Sequence, residues 1–304
     1  MVWLSGIVPS YQQAEAVFER IGHQQVPHSS IWRQSQIHGE RLKEYEENKQ
    51  AQVKPERIVL PKAEQDHAKV KGITMDGGMV HMRNEGWKEF KAGAVFDVEI
   101  GLGTDPETGE EVEKPCAVNT RCTAVLGEVG CFAPALWRLA VEADVPTAAR
   151  SSVTADGAAW IWNLAADYFP DSAQIVDWYH ATEHLAEAAH ELHPDDADKA
   201  NAWYKRWLTP LFEGEAWRLA QTLERADLHD QAQYFENHKR RMRYQHFRAD
   251  GFPIGSGTVE SACKQYKARV TGPGMRWSRP GAERMLVIRS AVMSDTFDDL
   301  WAAA

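Results

Sequence analysis

The hydrophobic pattern of this chain changes period near residue 68, and that change limits the folds open to it. Upstream, residues 10–47 read as two helical pieces. SYQQAEAVFERIG has a Ser start and a Gly stop, and SSIWRQSQIHGERLKEYEE follows a Gly- and Pro-containing turn. From residue 68 the runs AKVKGITMDGG, KAGAVFDVEIGLG and AVNTRCTAVLGEV are β-rich, separated by the polar stretches RNEGWKE and TDPETGEEVEKP. These connections suit a three-stranded antiparallel meander. CFAPALWRLAVEAD then reads as a helix, ARSSVTADG as a strand ending in a turn, AAWIWNLAADYFP as a helix and AQIVDWYH as a short buried strand. The order β-β-β-α-β-α-β predicts an α/β chain with a mixed five-stranded sheet, its last two strands parallel and reached by crossovers.

After His180 the pattern is helical to about Arg248, with breaks expected at His193-Pro194, Thr209-Pro210 and Glu213-Gly214. Trp203, Trp207 and Trp217 fall in this block at helical spacing and read as packing groups. DGFPIGSG is a loop, SACKQYKARV a helix, TGPGMRWSRPG a loop, and AERMLVIRSAVMSDTFDDLWA the last helix. The expected division is 1–55, an N-terminal helical region with a possible helix-turn-helix; 56–180, the first part of the sheet core; 181–250, a helical insertion; and 251–304, C-terminal helices that complete the core.

Composition narrows the classes. The 304 residues carry a formal net charge of −10 with 43% hydrophobic and 26% charged side chains, enough to bury a core. No apolar run has the length of a membrane span, and the start lacks a basic region followed by an apolar one, so a cytoplasmic protein is expected. Cys116, Cys122, Cys131 and Cys263 are too few and too unevenly spaced for a disulfide framework or a four-ligand zinc site. Taken whole, the acidity argues against nucleic acid. The average conceals a split, however. Lys239 to Arg289 holds twelve Lys or Arg against Asp250, Glu260 and Glu283, a local +9, and the remainder is −19. A basic segment on an acidic body suggests a polyanionic partner.

Three acids stand out by placement. Asp76 lies inside or at the end of the first strand, where a carboxylate is costly to bury without a partner or cation. Asp156 ends the fourth strand, expected to neighbour the first. Glu260 sits in the first turn of a helix entered through a Gly-Ser-Gly loop. Singly, these residues also suit a turn or a helix dipole. Together they form an oxygen-rich set for two Mg²⁺ or Mn²⁺ ions about 3.5–4 Å apart, suited to phosphodiester chemistry. A separate pattern, His180-x-x-Glu183-His184 with Glu187 or Glu191 as a further ligand, matches an inverted zinc-peptidase motif.

The motifs DGG at Asp76, ADGAAWIW at Asp156, DWYHATEHL, and RMRYQHFRADGFPIGSGTVESACK through GMRWSRPGAERMLVIR together resemble the ISKra-type insertion-sequence transposases. These are bacterial relatives of the Mutator-like DDE transposases, and the resemblance runs from about residue 68 to Trp301, with a looser match at 4–45. It implies a ribonuclease H-like core interrupted by a helical insertion before the last acid, with Asp76, Asp156 and Glu260 as the metal-binding triad. Asp177 and His180 match the Asp-x-x-His signature that follows the second acid in the superfamily, and Asp177 is the fallback ligand. Members of the family carry an additional N-terminal region with zinc- or DNA-binding character, and this chain begins near the boundary of the matched segment. The implied activity is metal-dependent strand cleavage and transfer on the ends of a mobile element, in a homo-oligomer on DNA at the bacterial nucleoid. His180 would position a phosphate or assist proton transfer. Lys239, Arg240, Arg241, Arg243, Lys264, Lys267, Arg269, Arg276 and Arg279 are expected phosphate contacts, and Trp277 either stacks on a base or packs. The rival expectation is a non-catalytic DNA-binding product such as a repressor of the element.

Overall fold

The computed structural model describes residues 1–60, 69–104, 111–255, 257–272 and 274–299; the side chains of Thr104 and residues 257–261 are outside that description. The fold is α/β, a mixed five-stranded sheet flanked by helices, in the order β3-β2-β1-β4-β5. β1 (Val70–Met82), β2 (Gly86–Thr104) and β3 (Glu111–Leu126) form the antiparallel meander. β4 (Arg150–Ala155) and β5 (Ala173–Val176) add in parallel, reached through α4 (Val129–Glu142) and α5 (Ala159–Tyr168). Period-two alternation sorts β1 between two cores. Ile73 and Met75 join Val153, Ala155 and the α4 and α5 side chains in one, while Val80 and Met82 join Phe90, Ala92 and Ala94 in the other.

The strands run longer than the apolar runs suggested. RNEGWKE was expected to be a connection, but β2 starts within it at Gly86, because buried Val80 and Phe90 still alternate with exposed Met79 and Glu89 across the ladder. The helical block is α6 (Trp178–Leu192), α7 (Ala197–Phe212), α8 (Ala216–Glu224), α9 (His229–His238), a one-turn 3-10 segment at 239–241, and α10 (Tyr244–Ala249). The breaks at Pro194 and Gly214 are present. The expected break at Thr209-Pro210 is not, since α7 carries Pro210 in its last turn, where few intrahelical bonds remain to lose. The final helix is also shorter than expected: α12 (Arg279–Met293) stops ahead of Asp295, a left-handed residue at φ 53°.

The second core is closed by α11 (Gly257–Val270), α12 and the N-terminal helices α1 (Val2–Ile7), α2 (Tyr11–Arg20) and α3 (His28–Ala51). α3 lies against α12, with Arg284 reaching Glu40 and Gln36, and Lys43 bonding Glu283 at 2.7 Å. Their approach depends on Gly39. A Cβ there would lie 2.8 Å from Arg284 Cβ and 3.1 Å from Ile288 Cδ1. Gly39→Leu is therefore expected to cost about 2–3 kcal/mol by overpacking, read as a lower melting temperature. Gly130→Ala, with nothing within 4 Å, should melt no lower than wild type.

All four cysteines are free thiols. Burial pushes the Cys122 thiol up to about 12 and raises Cys263 further, whereas Cys131 is exposed at the start of α4. A thiol reagent should label Cys131 first in the native protein and reach Cys122 and Cys263 only on unfolding. Fast labelling that survives removal of both Cys131 and the half-exposed Cys116 would contradict this packing. No described helix is long and apolar enough to cross a membrane.

Candidate active site

The parallel register runs to Thr74 and Thr154; Asp76 stands two residues further along β1, and Asp156 two residues past Thr154, just beyond the end of β4. The strands diverge just there. β1 continues into its hairpin with β2, while β4 ends at Ala155 and Asp156 starts a turn. Asp156 Oδ1 accepts the Ala158 N–H at 2.9 Å, and Gly157 follows at φ 112°. That φ is one L side chains rarely adopt, so the turn favours glycine, although a Cβ there would make only ordinary contacts of 3.4 Å with His238 Nε2 and Tyr234 Cε2. Asp76 Oδ1 accepts the adjacent Gly77 N–H at 2.6 Å. Below it on the same face, the Thr74 hydroxyl is buried with no partner among the described residues.

α11 packs on β1 beside Asp76. Its Cys263 thiol is raised by burial first, then by the charge and hydrogen bond of Asp76. Glu260 stands one helical turn before Cys263 in the same helix, with its side chain outside the described residues. Cys263 was not foreseen as a neighbour of Asp76, although its three-residue spacing from Glu260 is the signal that marks a shared helix face.

Asp177 is fully buried and caps a helix. Its Oδ1 accepts the N–H groups of Tyr179 at 2.7 Å and His180 at 3.0 Å, capping α6. Its own N–H donates to Ala155 O at 2.8 Å. DWYH, expected as the end of a strand, is thus a strand-to-helix junction with the helix beginning at Trp178.

The histidines of the zinc-like pattern face different partners. His180 Nδ1 lies 3.2 Å from Glu183 Oε2. His184 stacks on Tyr234 at 3.7 Å between ring centres, with its Nδ1 3.1 Å from Gln231 Oε1. Among the described residues no three His, Cys, Asp or Glu side chains come together as a metal-ligand group. Tyr234 and His238 of α9 lie against the Asp156–Gly157 turn, a contact the sequence did not reveal. Burial, Arg241 and His184 drive the His238 imidazole down to about 4, so it is neutral at neutral pH.

The expected nucleic-acid contacts divide. Lys264, Lys267, Arg240, Arg243 and Arg276 are exposed. Lys239 pairs with Glu236, and Arg279 Nη2 bonds Glu85 at 2.6 Å. Arg241 turns inward, its Nε 2.8 Å from Gln174 and its guanidinium 4.6 Å over the Trp162 ring. The expectation for Arg269 is corrected, and of the two alternatives for Trp277 the structure has packing. Arg269 is 2% exposed, bonds Ser5 O at 2.7 Å and lies between the rings of Tyr11 and Trp277. Trp277 is buried, donates its indole N–H to Val270 O at 2.9 Å, and joins β1 through a parallel bridge to Met82. Both hold the fold together, out of reach of a nucleic acid.

The donors at the strand ends are carboxylates, and among the described residues no Lys or Arg pairs with Asp76 or Asp156. That chemistry fits a hard divalent cation. Compared with known proteins, the chain matches no family model and no curated protein.

Proposed function

We propose that the chain is a metal-dependent DNA strand transferase of the ISKra type, with a ribonuclease H-like core and a helical insertion at 181–250. What supports this reading is that Asp76 on β1 and Asp156, one residue past the end of the parallel neighbour β4, each follow the last paired position Thr74–Thr154 by two residues, with the Glu260 helix packed against β1. Asp76 and Asp156 would hold Mg²⁺ or Mn²⁺, and Glu260 completes the set. When bound, two such ions supply Lewis-acid activation of an attacking oxygen and stabilisation of the leaving oxygen of a phosphodiester. The chain's own task is to keep those carboxylates fixed and unneutralised. The strand register and the Asp156–Gly157 turn do this on one side, and Cys263 with the Gly77 N–H does it on the other. His180, in the first turn of α6, is the candidate to orient a phosphate. Exposed Lys264, Lys267 and Arg276 extend a cationic track from α11 for the DNA backbone, adding affinity and salt dependence without sequence choice. Action on two element ends in the bacterial cytoplasm calls for a homo-oligomer on the DNA.

The test is a Mn²⁺-dependent nicking assay on a labelled duplex carrying the element's terminal repeat. Wild type should nick, and Asp76→Asn with Glu260→Gln should not. Equal rates would leave a DNA-binding product without catalysis.

A further inference from the structure

A second cleft lies in the helical block. A cleft of about 460 Å³ opens between the α7–α8 turn and the α9–α10 connection, with Trp217 on one wall and Lys239, Arg240 and Arg243 on the other. Trp217 is 46% exposed, although Ala216, Leu219, Ala220 and Leu223 of the same helix are buried against α9 and the core. Trp203 and Trp207 of α7, by contrast, lean on one another at 6.0 Å. The expectation that all three tryptophans pack therefore fails for Trp217.

The cations opposite are arranged rather than scattered. In the run Lys239–Arg243, Arg241 and Met242 turn inward, which leaves Arg240 and Arg243 facing the cleft. The Arg243 stem rests on Gly214, with Cγ 3.5 Å from where a Cβ would stand. Among the described residues no carboxylate pairs with Arg240 or Arg243. Glu236 is engaged by Lys239, and Glu213 is the remaining acid in the wall.

An accessible indole face beside two guanidinium groups without acidic partners matches one ligand chemistry closely: an aromatic base joined to a phosphate. A duplex keeps its base faces stacked, whereas an unpaired nucleotide offers one. An acidic peptide would use the cations and leave the indole without a role. We propose that this cleft binds an unpaired nucleotide of a DNA strand, the base stacked on Trp217 and the flanking phosphate held by Arg240 and Arg243. The inference rests on the strand-transferase reading, because cutting a strand is what releases unpaired nucleotides beside the acidic site. The chain runs directly from Tyr234 and His238, at the Asp156 turn, into these cations.

The experiment is fluorescence anisotropy in EDTA, with the Asp76→Asn protein and two labelled DNAs: a blunt duplex, and the same duplex with a short single-stranded extension. The extension should tighten binding by about tenfold. Trp217→Ala should remove that gain and leave the blunt duplex unchanged, and Trp217→Phe should keep part of it. Arg243→Ala should weaken the extended DNA and flatten its salt dependence. A gain that persists in Trp217→Ala, the absence of a gain in the parent protein, or displacement by an acidic peptide as effective as single-stranded DNA would each overturn the proposal. Nicking is scored separately on wild type and Trp217→Ala. A gain without nicking sinks the strand-transferase reading alone, and nicking without a gain sinks the cleft alone.

Discussion

Asp156→Asn should lower nicking by about a hundredfold to a thousandfold while melting like wild type. Asp177→Asn, one strand away, should leave nicking within a few-fold. The contrast follows from what each carboxylate does. Asp156 spends one oxygen on the Ala158 N–H, a bond that asparagine can keep, so substitution removes charge and little structure. Asp177 spends its Oδ1 on two N–H groups of the α6 first turn, and asparagine serves as an N-cap about as well as aspartate. Asp177→Ala takes the acceptor away and leaves buried donors unpaired, at a cost of about 2 kcal/mol, visible as a lower melting temperature. Parallel nicking and melting measurements on the three variants decide the matter. If Asp177→Asn kills nicking and Asp156→Asn spares it, the ligand assignment reverses, and Asp156 becomes the turn residue that its Asp-Gly sequence also suits.

The strand order was legible because the apolar runs are short, alternate, and are separated by Gly- and Pro-bearing stretches; the predicted mixed sheet is the one present. Their ends were not. Beyond Gly78 the ladder is held by backbone pairing across a hairpin, with every second side chain in water, so hydrophobicity fades before the strand does. The pairing of β1 with β4, which brings the Asp76 and Asp156 segments to adjacent strands, also came from order alone. The capping of α6 by Asp177 was hidden, since a capping aspartate and a ligand aspartate look alike in sequence until the next N–H groups are placed. Charge counting failed in a similar way. Arg269 and Arg289 were summed into the basic segment, yet both are buried and donate to carbonyls at the end of α1, Arg269 to Ser5 and Arg289 to Gly6 and Ile7. That contact spans most of the chain, and no local pattern announces it. It also ties the N-terminal helices into the second core, where a helix-turn-helix standing apart had been conceivable.

The same reassignment gives the largest expected loss of stability. Trp277→Ala should cost about 3–5 kcal/mol, the range for deleting a large buried aromatic, and lower the melting temperature by roughly 6 °C or more. Three things go at once. The indole N–H leaves Val270 O unpaired, the far end of β1 loses the ring packed beside its bridge at Met82, and the Arg269 guanidinium loses one of its two aromatic faces, now 5.2 Å from the ring centre. Arg269→Ala should cost less, about 2–3 kcal/mol, because removing a buried cation recovers part of its desolvation while forfeiting the bond to Ser5 O and the contacts with both rings. The double variant should fall short of the sum, since the stack between the two side chains is lost only once. Trp277→Phe keeps a ring and loses the indole N–H, so it should melt between wild type and Trp277→Ala. The opposite pattern would come from residues that read DNA: variants that melt like wild type, each weakening duplex binding with a shallower salt dependence. That result would move Arg269 and Trp277 from the interior of the second core to a DNA-facing surface, the place the sequence reading gave Arg269 and one of the two it left open for Trp277.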